Sequence, residues 1–144
     1  IKGGGGALTR EKIVANISKS MIVVADESKK VDVLGKFNLP VEVSPEKFQS
    51  VIEELSTICP GKVILRRKMT DSGGEGRIYV TDNDGYILDC EFGPTITDPA
   101  EMEQMISVID GVVEVGLFVG ICDAVFVASH SGVDIMFNPE GRLH

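Results

Sequence analysis

The sequence predicts an α/β chain in two parts: a partial parallel-sheet unit and, inserted into it, a small β-α-β-β-α-β unit of the split βαβ, ferredoxin-like kind. Three observations lead there. A helix-period segment over residues 8–20 runs into the apolar stretch Met21-Ile22-Val23-Val24-Ala25, which reads as a buried parallel strand. After Asn38-Leu39-Pro40 the pattern changes to strand, helix, strand, strand, helix, strand. Two further strand patterns, 124–128 and 133–137, are surplus to the small unit and are expected to return to the first sheet. The expected division is therefore 1–38 with 124–144 for the first domain and 39–123 for the second.

Taken in order, the first helix is expected to bury Leu8, Ile13, Ile17 and Met21, whose spacings lie near the helical period. The strand after it ends in Asp26-Glu27-Ser28-Lys29-Lys30, a polar turn. Ligands bind at the carboxyl ends of strands in open α/β sheets, which makes Lys29 a candidate and leaves Lys30 a surface residue. Residues 31–37 read as a turn or short helix ended by Gly35. A strand at 41–43 leads to a helix capped by Ser44 and opened by Pro45, burying Phe48, Val51, Ile52 and Leu55. It stops near Cys59-Pro60-Gly61. A strand at 62–67 precedes a glycine-rich, mobile polar loop at 70–76. Strands at 77–81 and 86–90 form a hairpin around Asp82-Asn83-Asp84-Gly85. Asp98 caps the next helix, Pro99 opens it and Glu101 completes a capping box. Met102, Met105, Ile106 and Ile109 are its expected buried face, Asp110-Gly111 its end, and 112–119 the last strand of the inserted unit.

The chemistry points to the start of the chain. Lys2 is followed by four consecutive glycines, Gly3 to Gly6, and then by the first helix. Glycines without side chains serve no core, but they let the backbone bend sharply and approach a ligand. A glycine loop feeding a helix N-terminus favours anions, because the first N–H groups are unpaired and the dipole is positive there. Glu11 lies one turn inside that helix, where the same field favours its ionised form. A fixed carboxylate beside such a loop suits a general base acting on a phosphorylated or polyhydroxy substrate. Lys2, Arg10, Lys12, Lys29 and Lys30 gather positive charge in the same part of the sequence. Two plainer readings stand beside this one. The loop could bind a phosphate or nucleotide without catalysis, or the ferredoxin-like half could be an interaction or regulatory domain.

Composition narrows the choice. The 144 residues are 43% apolar and 25% charged, enough for a real core. A net charge of −8 argues against nucleic acid, which wants a basic face. No apolar run approaches the roughly 18–20 residues that span a bilayer, so no membrane partner is expected. Cys59, Cys90 and Cys122 are odd in number and widely spaced, which predicts free thiols in a reducing, cytoplasmic setting, with neither a zinc site nor disulfides. His130 and His144 have no partners at ligand spacing and take no role. Glycine-rich anion loops normally follow a strand, so a strand and more are expected to be missing ahead of Ile1.

Several segments together resemble the type A ribose-5-phosphate isomerases. They are Lys2-Gly3-Gly4-Gly5-Gly6-Ala7-Leu8-Thr9-Arg10-Glu11-Lys12, Ala25-Asp26-Glu27-Ser28-Lys29, Leu39-Pro40-Val41-Glu42-Val43, Val80-Thr81-Asp82-Asn83 and Gly111-Val112-Val113-Glu114-Val115-Gly116-Leu117-Phe118. The resemblance implies a Rossmann-like first domain and a ferredoxin-like second. It implies interconversion of ribose 5-phosphate and ribulose 5-phosphate, in the pentose phosphate pathway, with neither metal nor cofactor. The family's proton acceptor falls on Glu11, and its substrate-binding residues on Lys2, Gly3, Gly4, Gly5 and Lys29. A sugar phosphate is the implied partner, with assembly as a homodimer or homotetramer. The family's Gly-Thr-Gly-Ser-Thr loop and Asp-Gly-Ala-Asp segment do not occur in these residues, so the chain by itself is expected to be inactive.

Overall fold

The computed structural model describes residues 1–143, so His144 lies outside the described residues. The elements run α1 (Leu8–Ile17), β1 (Ile22–Asp26), a 3-10 turn (Glu27–Lys29), β2 (Leu39–Val43), α2 (Phe48–Ile58), β3 (Val63–Leu65), β4 (Arg67–Met69) and β5 (Glu75–Ile78). They continue with β6 (Tyr86–Cys90), α3 (Pro99–Ser107), β7 (Val112–Val115), β8 (Ala124–Ser129) and β9 (Gly132–Phe137). This is a mixed α/β chain. Packing divides it into two compact units, Ile1–Thr9 with Val33–Leu117, and Arg10–Asp32 with Phe118–His144.

The first unit is built on a four-stranded antiparallel sheet of order β3-β6-β2-β7. Pairing sets its two faces, since cross-strand partners share a side. Leu39, Val41 and Val43 of β2 pair with Cys90, Leu88 and Tyr86 of β6 on one face. Helix α2 covers that face, with Phe48 meeting the Tyr86 ring edge-on at 5.4 Å between centroids. Val41, Val43, Val51, Leu55, Leu88 and Ile106 are fully buried. The other face carries Pro40 and Glu42 of β2 with Asp89 of β6, and the first residues of the chain lie over it. Lys2 N–H donates to the Gly116 carbonyl at 2.8 Å, Gly116 N–H donates to Pro40 at 2.8 Å, and Thr9 hydroxyl donates to Glu42. Residues 1–9 therefore pack with β2 to β7, as does 33–38, where Leu34 and Ile96 form an isolated bridge.

Three local expectations are corrected here. The turn at Thr81–Gly85 forms, closed by Thr81 N–H to Gly85 at 2.9 Å, but the flanking strands part company. β5 pairs with β4 as a separate ribbon, and β6 pairs with β2 and β3. The turn residues specify the reversal and not the partner. Ser44 and Pro45 sit in a turn ahead of α2, whose first helical residue is Phe48 and whose N-cap is Lys47, without a side-chain cap. The Asp98 cap of α3 does form, its carboxylate accepting from Glu101 N–H at 2.9 Å. On that helix Ile106 is buried while Met105 is 44% exposed. Residues 31–37 form bends and a turn at Gly35, beside the isolated Leu34 bridge, so of the two expected alternatives the turn forms and the short helix does not.

In the second unit β1 and β8 are parallel, Ile22 opposite Ala124 through Asp26 opposite Ala128. β9 adds antiparallel to β8, giving the order β1-β8-β9. The return of β8 and β9 to the first sheet is thus observed. Burial is not: Ile22 and Val24 are 54% and 78% exposed, and every residue of β9 is exposed. Helix α1 buries Leu8 as expected, but the rest of its stripe is turned. Lys12 and Ala15 are buried, whereas Ile13 and Ile17 face out. A lysine takes an apolar position because its four-carbon stem packs while the ammonium finds the Phe118 ring, 5.2 Å from the centroid. The unit's polar centre is Asp123, buried, whose carboxylate accepts from Met21 N–H at 2.6 Å and from the backbone and guanidinium of Arg142.

Candidate active site

The glycine loop is a tight turn held from one side. Gly6 N–H donates to the Gly3 carbonyl at 2.9 Å. Gly3 and Gly6 adopt φ of +102° and +91°, a region side chains rarely enter. A Cβ on Gly6 would also collide with the Tyr79 hydroxyl. Gly3 and Gly6 are thus required by backbone shape, and Gly6 by close packing as well. Gly3 and Gly6 are buried while Gly4 and Gly5 are exposed.

From this turn the chain enters α1, and Glu11 falls in its first turn, half-buried. Lys2 is half-buried beside the β7 end through its amide bond to Gly116. Lys29 ends the 3-10 turn after β1 and is exposed. That turn is shaped by Asp26, whose carboxylate accepts from Ser28 N–H at 2.9 Å and from the Ser28 hydroxyl. These bonds hold the Asp26 carboxyl below its ordinary value. Lys2 and Gly3 to Gly5 belong to the first compact unit, and Glu11 and Lys29 to the second. Glu11 is thus a carboxylate in a helix's first turn, directly after the glycine turn in the sequence, and Lys29 a lysine at a strand's carboxyl end.

Sequence reasoning missed the residues behind the loop. Arg66, just after β3, donates through Nη1 to the carbonyls of Gly3 and Gly4 at 2.8 and 3.2 Å. Its other nitrogens grip Asp89 at 2.8 and 2.5 Å. Tyr79 donates to the Gly5 carbonyl at 3.3 Å. Glu42, only 1% exposed, accepts from Thr9, from Thr81 at 2.6 Å and from Asn83 at 3.4 Å. Glu42 and Asp89 did leave a trace in the sequence, as acids inside otherwise apolar strands. Nothing in the sequence named their partners.

Fold and local geometry together define an α/β protein with a tight glycine turn leading into a helix and a carboxylate in that helix's first turn. Comparison with known proteins narrows this. The sequence model of ribose 5-phosphate isomerase A (phosphoriboisomerase A) matches residues 1–132, and the chain belongs to that family. It is 47% identical over 138 residues to ribose-5-phosphate isomerase A of Rhodopseudomonas palustris strain TIE-1, covering 92% of this chain and 57% of that protein. It is 45% identical over 146 residues to the Thermoplasma volcanium protein of the same name, covering 99% of this chain and 57% of the relative. Among solved structures, ribose 5-phosphate isomerase A from Methanocaldococcus jannaschii superposes with a TM-score of 0.83 at 40% identity, over 96% of this chain and 58% of that one. A D-ribose-5-phosphate isomerase in complex with phospho-erythronic acid gives 0.85 at 41% identity, with the same coverages of 96% and 58%. The chain thus spans a little under three fifths of the length of these relatives.

Proposed function

We propose that the protein interconverts ribose 5-phosphate and ribulose 5-phosphate, Glu11 moving a proton between C1 and C2 through an enediolate. The observation that carries this is the family match over residues 1–132, which includes the glycine loop and the Glu11 turn. The reaction needs one base able to take a proton from one carbon and return it to its neighbour, a task worth about 10²–10⁴-fold for a well-placed carboxylate. Charge developing on the enediolate oxygens needs fixed donors, each worth about 10²–10³-fold. Lys2 and the amides of Gly3 to Gly5 take that part in this reading, and Lys29 holds the phosphate or a sugar hydroxyl as a point charge.

The architecture we propose keeps the division into a Rossmann-like part, 1–38 with 124–144, and a ferredoxin-like part, 39–123, except that residues 1–9 and 33–38 pack with the ferredoxin-like part. The parallel β1–β8 pairing supports the first, and the antiparallel order β3-β6-β2-β7 with α2 and α3 supports the second. A homodimer or homotetramer in the cytoplasm, binding the sugar phosphate and using no cofactor, completes the reading, and residues 1–144 alone are expected to be inactive.

The test is conversion of ribose 5-phosphate by the natural full-length protein in deuterated water. Formation of ribulose 5-phosphate carrying solvent deuterium supports the proposal. Tight sugar-phosphate binding with neither conversion nor exchange would make the protein a binding module instead.

A further inference from the structure

We infer that Arg66 is a positioning residue for the anion loop, holding Gly3 and Gly4 by their carbonyls so that the amides of Gly4 and Gly5 face the ligand. This rests on the proposed isomerase site and adds to it a group that touches no substrate. A glycine run has the greatest backbone freedom of any sequence, so its shape must be imposed from outside. Three successive carbonyls of the run are claimed by side chains: Gly3 and Gly4 by Arg66, and Gly5 by Tyr79.

Peptide planarity turns these bonds into aim. The C=O of one residue and the N–H of the next point in opposite directions across a trans peptide. Fixing the Gly3 and Gly4 carbonyls toward Arg66 therefore fixes the Gly4 and Gly5 N–H groups away from it. The Gly3 carbonyl also accepts from Gly6 N–H, so the same oxygen closes the turn.

Arg66 is itself held. Asp89 takes two of its nitrogens, and the Tyr79 ring lies 5.9 Å from the guanidinium. The Arg66 and Asp89 side chains are only 14% and 20% exposed. A planar fork that serves carbonyls on one edge and a carboxylate on the other is beyond lysine, a single point charge.

The experiment compares wild type, Arg66→Lys and Asp89→Asn in the natural full-length protein, with Arg67→Lys as a neighbouring control. It reads the Gly6 amide exchange rate, the affinity for ribose 5-phosphate, and kcat and KM separately. The account expects Arg66→Lys to speed Gly6 exchange at least about tenfold and to lower kcat by about 10–100-fold, as small misplacements do. KM should move less, Asp89→Asn should follow in the same direction, and Arg67→Lys should change nothing. Unchanged Gly6 exchange in Arg66→Lys overturns the clamp. Faster exchange with kcat and affinity both unaltered overturns its functional role. If wild type binds the sugar phosphate without isomerising it, the isomerase reading falls, and the clamp is judged on exchange and affinity alone.

Discussion

The two compact units differ in what holds them together. The first buries Leu39, Val41, Val43, Val51, Leu55, Ile87, Leu88, Ile106, Val115 and Leu117 almost completely, around a sheet with α2 on one face. The second buries two alanines, Val127, the Lys12 stem and the Asp123 carboxylate. Its strands leave Ile22, Val24, Val133, Ile135 and Phe137 exposed. One unit rests on apolar burial, the other on strand pairing and a charged knot in which Arg142 bonds the carbonyls of Ser18 and Ile121 at 2.7 and 2.8 Å. The candidate base Glu11 and Lys29 lie in the second, and the loop that would hold the anion lies in the first.

Substitutions can break or sharpen this contrast. Leu88→Ala in the first unit should cost about 2–5 kcal/mol, the range for emptying a filled core site, read as a fall in the urea midpoint. Asp123→Ala in the second should lower the midpoint less, by leaving Met21 N–H and the Arg142 backbone N–H without their acceptor. A cost there as large as that of Leu88→Ala would erase the distinction. Asp98→Ala should cost about 1 kcal/mol through loss of the α3 cap. Val24→Thr on the exposed strand should stay within about 0.5 kcal/mol.

Acid should act on the second unit through Asp123. Bonds from Met21 N–H and from Arg142 hold its carboxyl below the ordinary aspartate value. Its contribution is therefore present above the unfolded value of about 3.9 and is lost as pH falls through the lower, folded one. Unfolding followed from pH 6 down to pH 2 should show a drop in stability below pH 4 that is shallower in Asp123→Asn. An equally steep drop in that variant would assign the acid sensitivity to other groups.

Individual elements were legible beforehand and this contrast in burial was not, for physical reasons that differ by residue. The Asp98-Pro99 start of α3 and the Thr81–Gly85 turn are written in local backbone chemistry, and both formed. The buried stripe of α1 was misread because Lys12 looks polar in sequence yet packs its stem, while Ile13 and Ile17 look like core and face outward. Strand partners are non-local: nothing in 77–81 says that β5 will join β4 and leave β6 to its neighbours. The glycine loop was plain as a motif. Its support by Arg66, more than sixty positions further along the chain, required the fold.

The account turns on Glu11 as the proton carrier. Turnover of ribose 5-phosphate by Glu11→Gln in the natural full-length protein tests it most directly. The expected result is a kcat about 10²–10⁴-fold lower at unchanged thermal midpoint and little-changed KM. Turnover within a few-fold of wild type would contradict it.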